Sequence, residues 1–370
     1  MTSIAAARKL LGALVGDPIP GAPEGTLGVT PATEQATAHI MQVASAHGVP
    51  VLIWGGGTHQ GYGTPVRPAI VISTRNLQAL EWRADDLTVT VGAGVLVADL
   101  EQRLAEGGQT AVLPENPGDA TVGGIVAAGI SGYRRLRYGP TRDRVLGVTL
   151  VTGDGRVVHG GGTVVKNVSG YDLSRLAVGS FGRLGVITEI SLKLWPLPQA
   201  TATVVGVRPE DAAEEIYRPL AVLEADGHGS VVLGGHAAMV QAQIDALGGA
   251  SEPGAVWPAP LDVPVRCALR MPARLTRQAV EHVPKGWSYR AAFGIGEVRM
   301  GTLNPDLAAL SDARGWAESV GGRLVVESAP HDLGFDPWGT PPATVDIQRR
   351  LVSGFDPAGI ANPGRLPGGI

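Results

Sequence analysis

The sequence predicts an α+β protein built in two parts. Short apolar runs of strand character alternate with amphipathic helical patterns over the first two hundred residues, two prolines in Trp195-Pro196-Leu197-Pro198 break that pattern, and 370 residues suffice for two cores. The expected bounds are 1–198 for the first part, 199–340 for the second, and 341–370 for a closing segment that returns to the first. Hydrophobic residues make up 44% and charged residues 17% of the chain, and the mean hydropathy is +0.13. That is the composition of a packed globular protein, not of a disordered one.

The elements follow in order. Arg8 and Lys9 precede Leu10-Leu11-Gly12-Ala13-Leu14-Val15, which Asp17 and Pro18 end; this reads as a short amphipathic helix and not as a cleaved leader. Thr30 is the expected cap of a helix that starts at Pro31, carries Ala36, Ile40, Val43 and Ala44 on one face and stops at Gly48. Residues 49–54 are a buried strand that runs into Gly55-Gly56-Gly57-Thr58-His59-Gln60-Gly61. Strands at 69–73 and 88–91 and a helix at 97–104 come next. Residues 109–200 read as short strands and turns, closing on a strand at 185–194. Beyond the prolines, 209–225 and 236–247 have helical spacing, while 230–233, 263–269 and 324–326 have strand character.

Bulk charge narrows the function classes. A formal charge of −4 provides no field to gather nucleic acid or an anionic membrane, and no apolar stretch approaches the roughly 18 residues that span a bilayer, so membrane attachment is expected only through partners. Cys267 is the single cysteine, so this chain alone builds no disulfide, cysteine-rich zinc site or iron–sulfur cluster, and a reducing, cytoplasmic setting fits.

The 53 glycines cluster where backbone must turn sharply or touch a ligand. In Gly55–Gly61, residues without Cβ let successive N–H groups converge on one anion, and Thr58 adds a hydroxyl, which is how a diphosphate is held with few positive charges. Standing alone, a triple-glycine turn is better read as a tight turn. About sixty residues later, however, Pro117-Gly118-Asp119-Ala120-Thr121-Val122-Gly123-Gly124 supplies a second glycine-and-hydroxyl turn, followed by Ala127-Ala128-Gly129-Ile130-Ser131-Gly132. Two such loops would grip one dinucleotide from two sides. Thr88-Val89-Thr90-Val91-Gly92-Ala93-Gly94 imitates a nicotinamide-binding turn, but Val97 stands where the third glycine belongs.

With Tyr138-Gly139-Pro140-Thr141-Arg142-Asp143, Gly170-Tyr171-Asp172-Leu173, the segment from Val178 to Glu189, Phe355-Asp356-Pro357-Ala358-Gly359 and Asn362-Pro363-Gly364-Arg365, the order of motifs resembles the PCMH-type FAD-binding family typified by vanillyl-alcohol oxidase and p-cresol methylhydroxylase. Within it, Lys166-Asn167-Val168-Ser169-Gly170-Tyr171-Asp172 and the short second part are similar to the FAD-binding E subunits of bacterial glycolate oxidase complexes. The resemblance implies a two-subdomain PCMH-type FAD-binding domain with a smaller α+β cap. It implies a complex with a paralogous flavoprotein subunit and an iron–sulfur subunit, and a small hydroxy acid as substrate. It places the FAD diphosphate on Gly55, Gly56, Gly57, Thr58, His59, Thr121 and Gly124, the backbone of Ile187 near the flavin or adenine, and Asn362 and Arg365 back at the flavin domain, with Pro117 and Ser131 as further contacts. Some members attach FAD through a histidine directly after the glycines. Thr58 holds that position here and His59 follows it, so noncovalent FAD is expected; the alternative for His59 is a loop histidine that touches nothing.

Relatives that oxidise 2-hydroxy acids carry clustered histidines and a carboxylate for a metal or the substrate. The eight histidines here show no pair at metal-ligand spacing, so neither a metal site nor a catalytic base is assigned. His228, His236 and His331-Asp332 read as satisfied surface or core residues. Lys166 either pairs with a phosphate or the flavin, or is a solvated turn lysine. Arg134, Arg135, Arg137, Arg142 and Arg144 read first as a solvated face, with carboxylate clamping or partner docking as alternatives. Three functions remain open: an FAD-binding subunit of a 2-hydroxy-acid (glycolate-type) dehydrogenase, a self-sufficient flavin oxidoreductase acting on a hydroxy acid or sugar alcohol, and a non-catalytic scaffold subunit.

Overall fold

A computed structural model describes residues 2–162, 172–330 and 333–370. After a first helix, Thr2–Leu11, comes a four-stranded sheet in the order Val15–Gly16, Leu27–Val29, Ile70–Ser73, Val51–Trp54, whose last three strands are parallel. The helix Glu34–Ala46 covers it with Ile40, Met41 and Ala44. This helix starts later than expected: Thr33 and not Thr30 caps it, accepting a hydrogen bond from the Ala36 N–H. Glu34 then falls in the first turn, where a carboxylate favours the helix N-terminus.

A second, antiparallel sheet runs Leu80–Arg83, Thr88–Gly92, Gly185–Lys193, Val145–Thr152, Val157–Gly161. The imitation nicotinamide-binding strand is one of its members. The expected strand at 185–194 is present as Gly185–Lys193, whereas the eight-residue strand Val145–Thr152 corrects the expectation of short strands before it. Their Val151 and Val186 pack into the core of the first sheet, so the two sheets are welded through shared apolar side chains.

From Ala200 the chain builds an eight-stranded antiparallel sheet ordered Ala250–Pro253, Ala200–Val205, His228–Gly235, Ala221–Ala225, Ser288–Phe293, Glu297–Thr302, Val265–Arg270, Arg323–Ser328. The expected helix over 209–225 is corrected: only Pro209–Glu215 is helical, and Ala221–Ala225 is a strand with Ala221 to Glu224 buried. One face of the sheet, with Val265, Cys267, Leu269, Val298 and Met300, packs under Pro209–Glu215, Ala237–Leu247, Thr276–Glu281 and Leu307–Ser319. On the other face Leu223, Val232 and Ala292 meet Tyr133 and Tyr138 of the first part, and the alternate residues Arg266, Arg270, Glu297 and Arg299 share that face. Among the described residues no helix is long and apolar enough to cross a membrane.

The chain closes with helix Val345–Phe355 and then returns to the first sheet. The Val51 N–H donates to the Ile360 carbonyl (2.8 Å), and the Asn362 N–H donates to that of Val51 (2.9 Å). Asp356 fixes the return by accepting the N–H groups of Ile360 and Ala361 (3.0 Å each) and pairing with buried Arg183 at 3.1 Å.

Candidate functional site

The strand Val51–Trp54 delivers Gly55–His59 to the wall of a cleft of about 640 Å³ that is also lined by Gly124, Ile187, Asn362 and Arg365. Residues from four distant stretches of sequence therefore converge. Among the described residues, none of the backbone N–H groups of Gly55, Gly56, Gly57, Thr58 and His59 donates a hydrogen bond within the chain. These residues are half-exposed or exposed, so their donors are open to the cleft and its solvent instead of being spent within the fold. Five in a row along a cleft form a nest suited to an anion.

The second glycine turn packs against the first instead of facing it across a gap. A Cβ on Gly55 would lie 2.3 Å from Thr121 Oγ1, and one on Gly56 1.8 Å from the Asp119 carbonyl oxygen. Thr121 is fully buried and lines no part of the cleft; it caps the helix Val122–Ala128 by accepting the Gly124 N–H (3.1 Å). Because Val122, Gly123 and Ile125 also donate within the chain, this helix start keeps no donor in reserve. Gly124 contributes bare surface instead.

Asn362, in the left-handed region at φ 43°, clamps the floor: its Oδ1 accepts from the Ile53 N–H (2.8 Å) and its Nδ2 donates to the Phe181 carbonyl (2.6 Å). Buried Arg365 donates to the Gln60 carbonyl (2.8 Å) and to that of His59 (3.3 Å). No carboxylate lies within 4.0 Å of its guanidinium among the described residues, and burial lowers its pKa to about 10. A row of free N–H donors, a buried guanidinium and a bare glycine surface fit a dinucleotide's diphosphate.

Thr58 and His59 also line an adjoining cleft of about 1020 Å³ whose far wall is the eight-stranded sheet, through Arg266, Arg290, Arg299 and Glu327. Pro117 lines this second cleft, whereas Ser131 is buried beside a third cavity and accepts the Thr141 N–H (2.9 Å). His59 Nδ1 bonds the Thr58 hydroxyl at 2.8 Å. Burial lowers the imidazole pKa to about 4, with Glu327 opposing, so the ring is neutral at pH 7. Glu327 occupies a bulge, since Arg266 pairs with Ser328 and Cys267 with Val326, and a bulge re-aims the extra side chain.

The expected solvated arginine face is not one. Arg134 donates to Glu115 (2.7 Å) and to the Leu113 carbonyl (2.7 Å), Arg137 to the Gly234 carbonyl, and buried Arg144 to the Gly139 carbonyl. Arg135 approaches Glu297 at 3.9 Å, leaving Arg142 the most exposed. The turn they occupy lies between the first part and the large sheet, where loop carbonyls need donors. His228 and His236 lie at opposite ends of the eight-residue strand His228–Gly235, roughly 25 Å apart. Lys166 with Asn167 to Tyr171, and His331-Asp332, lie outside the described residues. Among the described residues no three His, Cys, Asp or Glu side chains could hold a metal.

Residues 26–171 match the model of an FAD binding domain. The chain is 30% identical over 358 residues to the glycolate oxidase subunit GlcE of Escherichia coli, covering 90% of this chain and 97% of that one. It is 38% identical over 180 residues to D-lactate dehydrogenase of Archaeoglobus fulgidus, covering 48% of this chain but only 40% of that enzyme. The fold is similar to that of Physcomitrella patens BBE-like 1, with a TM-score of 0.70, 13% identity, and coverage of 96% of this chain and 97% of that one. By its match to GlcE along nearly the whole length, this chain belongs to the glycolate oxidase/D-lactate dehydrogenase family of FAD-binding oxidoreductases, and FAD is its cofactor.

Proposed function

We propose that the chain is the FAD-binding subunit of a complex that oxidises a small 2-hydroxy acid of the glycolate type, and that it holds FAD without a covalent bond. The convergence of Gly55–His59, Gly124, Ile187, Asn362 and Arg365 on one cleft carries this reading. Bound there, FAD supplies a flavin able to accept hydride from a substrate C–H bond. The free N–H groups of Gly55–His59 hold the diphosphate, Arg365 pins that loop and balances charge, and Thr121 acts indirectly by keeping Gly124 in place. Thr58 directly after the glycines supports noncovalent attachment, and the neighbouring imidazole is engaged with the Thr58 hydroxyl.

With Cys267 alone and buried, a relay from the flavin through an iron–sulfur centre requires a partner subunit, alongside a paralogous flavoprotein. The arginine-lined cleft beside the cradle favours a second reading, in which the isolated chain oxidises the acid itself. Adding glycolate or D-lactate anaerobically to the purified chain, while recording the visible flavin spectrum, separates the two. An unbleached bound flavin supports dependence on partners, bleaching supports self-sufficient turnover, and a colourless protein that fails to take up FAD refutes both. Acid precipitation is expected to leave all flavin in the supernatant; flavin in the pellet would refute noncovalent attachment.

A further inference from the structure

The charged face of the eight-stranded sheet carries more positive charge than the chain pairs. Glu297 is approached by Arg270 (3.1 Å), Arg299 (3.2 Å) and Arg135 (3.9 Å), and Glu327 by Arg270 and Arg299 (3.7 Å each). Arg266 has no carboxylate within 4.0 Å among the described residues, and its one hydrogen bond goes to the Leu261 carbonyl at 3.5 Å. Four guanidinium groups thus share two carboxylates; of these, Arg266, Arg299 and Glu327 line the cleft beside the cradle, while Arg135, Arg270 and Glu297 line the third cavity. Glu115, which also lines the cleft, does not close the gap, because its oxygens accept the Tyr133 N–H (2.7 Å) and the Arg134 guanidinium (2.7 Å).

The sheet register makes the arrangement costlier still. Arg290 stands directly opposite Arg299 in the antiparallel ladder, a like-charge pairing that destabilises a sheet. Arg290 is partly relieved by Asp226 at 2.7 Å. Burial pushes the Glu297 carboxyl up, but Arg299, Arg270 and Arg135 outweigh it and keep that group ionised, so its charge is already spent. Glu327 Oε1 and Arg299 Nε are buried without any hydrogen-bond partner. These two atoms face each other at 3.7 Å as an ion pair, so the cation left without a carboxylate is half-buried Arg266.

We infer that the cleft between the glycine cradle and the large sheet is a carboxylate-binding site, with Arg266 as its anchor and Arg290 and Arg299 beside it. The planar fork of a guanidinium suits a carboxylate's two oxygens. The cleft opens onto Thr58 and His59, which also line the dinucleotide cleft, so a small acid held there lies next to the cofactor site. The existence of the site rests on the charge count, and the identity of the ligand as a hydroxy acid rests on the proposed function. A site of this kind selects against neutral alcohols and sugars.

Calorimetric titration of the FAD-loaded full chain with oxalate, phosphate, glycolate and glycolamide, and of its R266M and R266K variants with oxalate, tests the assignment. Oxalate is expected to bind the wild type, at least tenfold more weakly R266M, and with intermediate strength R266K, with FAD content unchanged. Equal oxalate affinity in R266M and wild type, phosphate binding as tight as oxalate, or glycolamide binding as tight as glycolate would overturn it. Should R266M fail to fold, the glycolate–glycolamide comparison on the wild type still decides. If no hydroxy acid bleaches the flavin of the isolated chain while R266M still loses oxalate, self-sufficient oxidation falls and the site stands. If hydroxy acids bleach wild type and R266M with equal affinity and rate, the site falls and the oxidation stands.

Discussion

Replacing Gly124 by alanine separates a glycine kept for packing from one kept for a ligand. Gly124 is the third residue of the helix Val122–Ala128. A Cβ there meets only Thr121 Oγ1, at 3.1 Å, a shortfall of a few tenths of an ångström, whereas a Cβ on Gly123 would lie 2.6 Å from Ala93 Cβ. Alanine in place of glycine within a helix gains about 0.5–1 kcal/mol, which offsets that contact. FAD-free G124A is therefore expected to be as stable as the wild type or slightly more so. The same methyl group projects into the cleft, and forcing it against a packed ligand costs about 1–3 kcal/mol, or roughly a 5- to 150-fold loss of FAD affinity. G56A provides the contrast: its Cβ would lie 1.8 Å from the Asp119 carbonyl oxygen, immovable backbone, so both stability and affinity fall. Thermal unfolding of the FAD-free proteins and calorimetric titration with FAD give the two readouts. Wild-type FAD affinity in G124A would refute the placement of the dinucleotide against this helix, and a marked fall in its FAD-free melting temperature would refute the packing argument.

Three further outcomes follow from the same geometry. N362A strips partners from the Ile53 N–H and the Phe181 carbonyl, so urea unfolding is expected to show a loss of about 1–3 kcal/mol for each group left unsatisfied. D356A leaves buried Arg183 unpaired and should cost about 3–5 kcal/mol, while the double variant D356L/R183M should cost clearly less than the sum of the singles. The folded-state pKa of His59, about 4, lies below its unfolded value of 6.5. Its contribution is therefore intact above pH 6.5 and lost as pH falls toward 4, by at most about 1.4 kcal/mol per pH unit and less for a half-exposed ring. In H59N the FAD-free stability should fall less steeply over that window, and an unchanged slope would refute the assignment of a neutral imidazole.

The parts legible in the sequence are those whose physics is local. Gly55–Gly61 and Ala120–Gly124 announced tight backbone approaches, and the structure brings both to one cleft because a side chain at Gly55 or Gly56 would collide with the second turn. The helix cap was misplaced by three residues because Thr30 with Pro31 and Thr33 with Glu34 both satisfy local rules, and only packing of Ile40 and Met41 on the first sheet chooses between them. The arginine wall was missed because Ser288–Phe293 and Glu297–Thr302 were not read as strands. Their signal was present: Gly294 and Gly296, both at positive φ, bracket a hairpin turn, and Arg299 alternates with Val298 and Met300. Nor did the sequence disclose the work of Arg137, whose acceptor, the Gly234 carbonyl, lies 97 residues away and comes near only through the fold.

The distribution of charge bears on the scaffold reading as well. A subunit that kept FAD for stability alone would need the donors of Gly55–His59, the guanidinium of Arg365 and the clamp at Asn362, all on the cradle side of His59. It would have no use for a second wall lined by Arg266, Arg290 and Arg299 beside Glu327, because drawing like charges together out of water is costly. A purely structural sheet face gains nothing by setting Arg290 directly opposite Arg299. Arg266, Arg290 and Arg299 become intelligible when an anion other than the cofactor occupies the cleft they line. That places a substrate-sized acid and the flavin cradle on either side of one neutral imidazole, an arrangement suited to chemistry between them and superfluous in a scaffold.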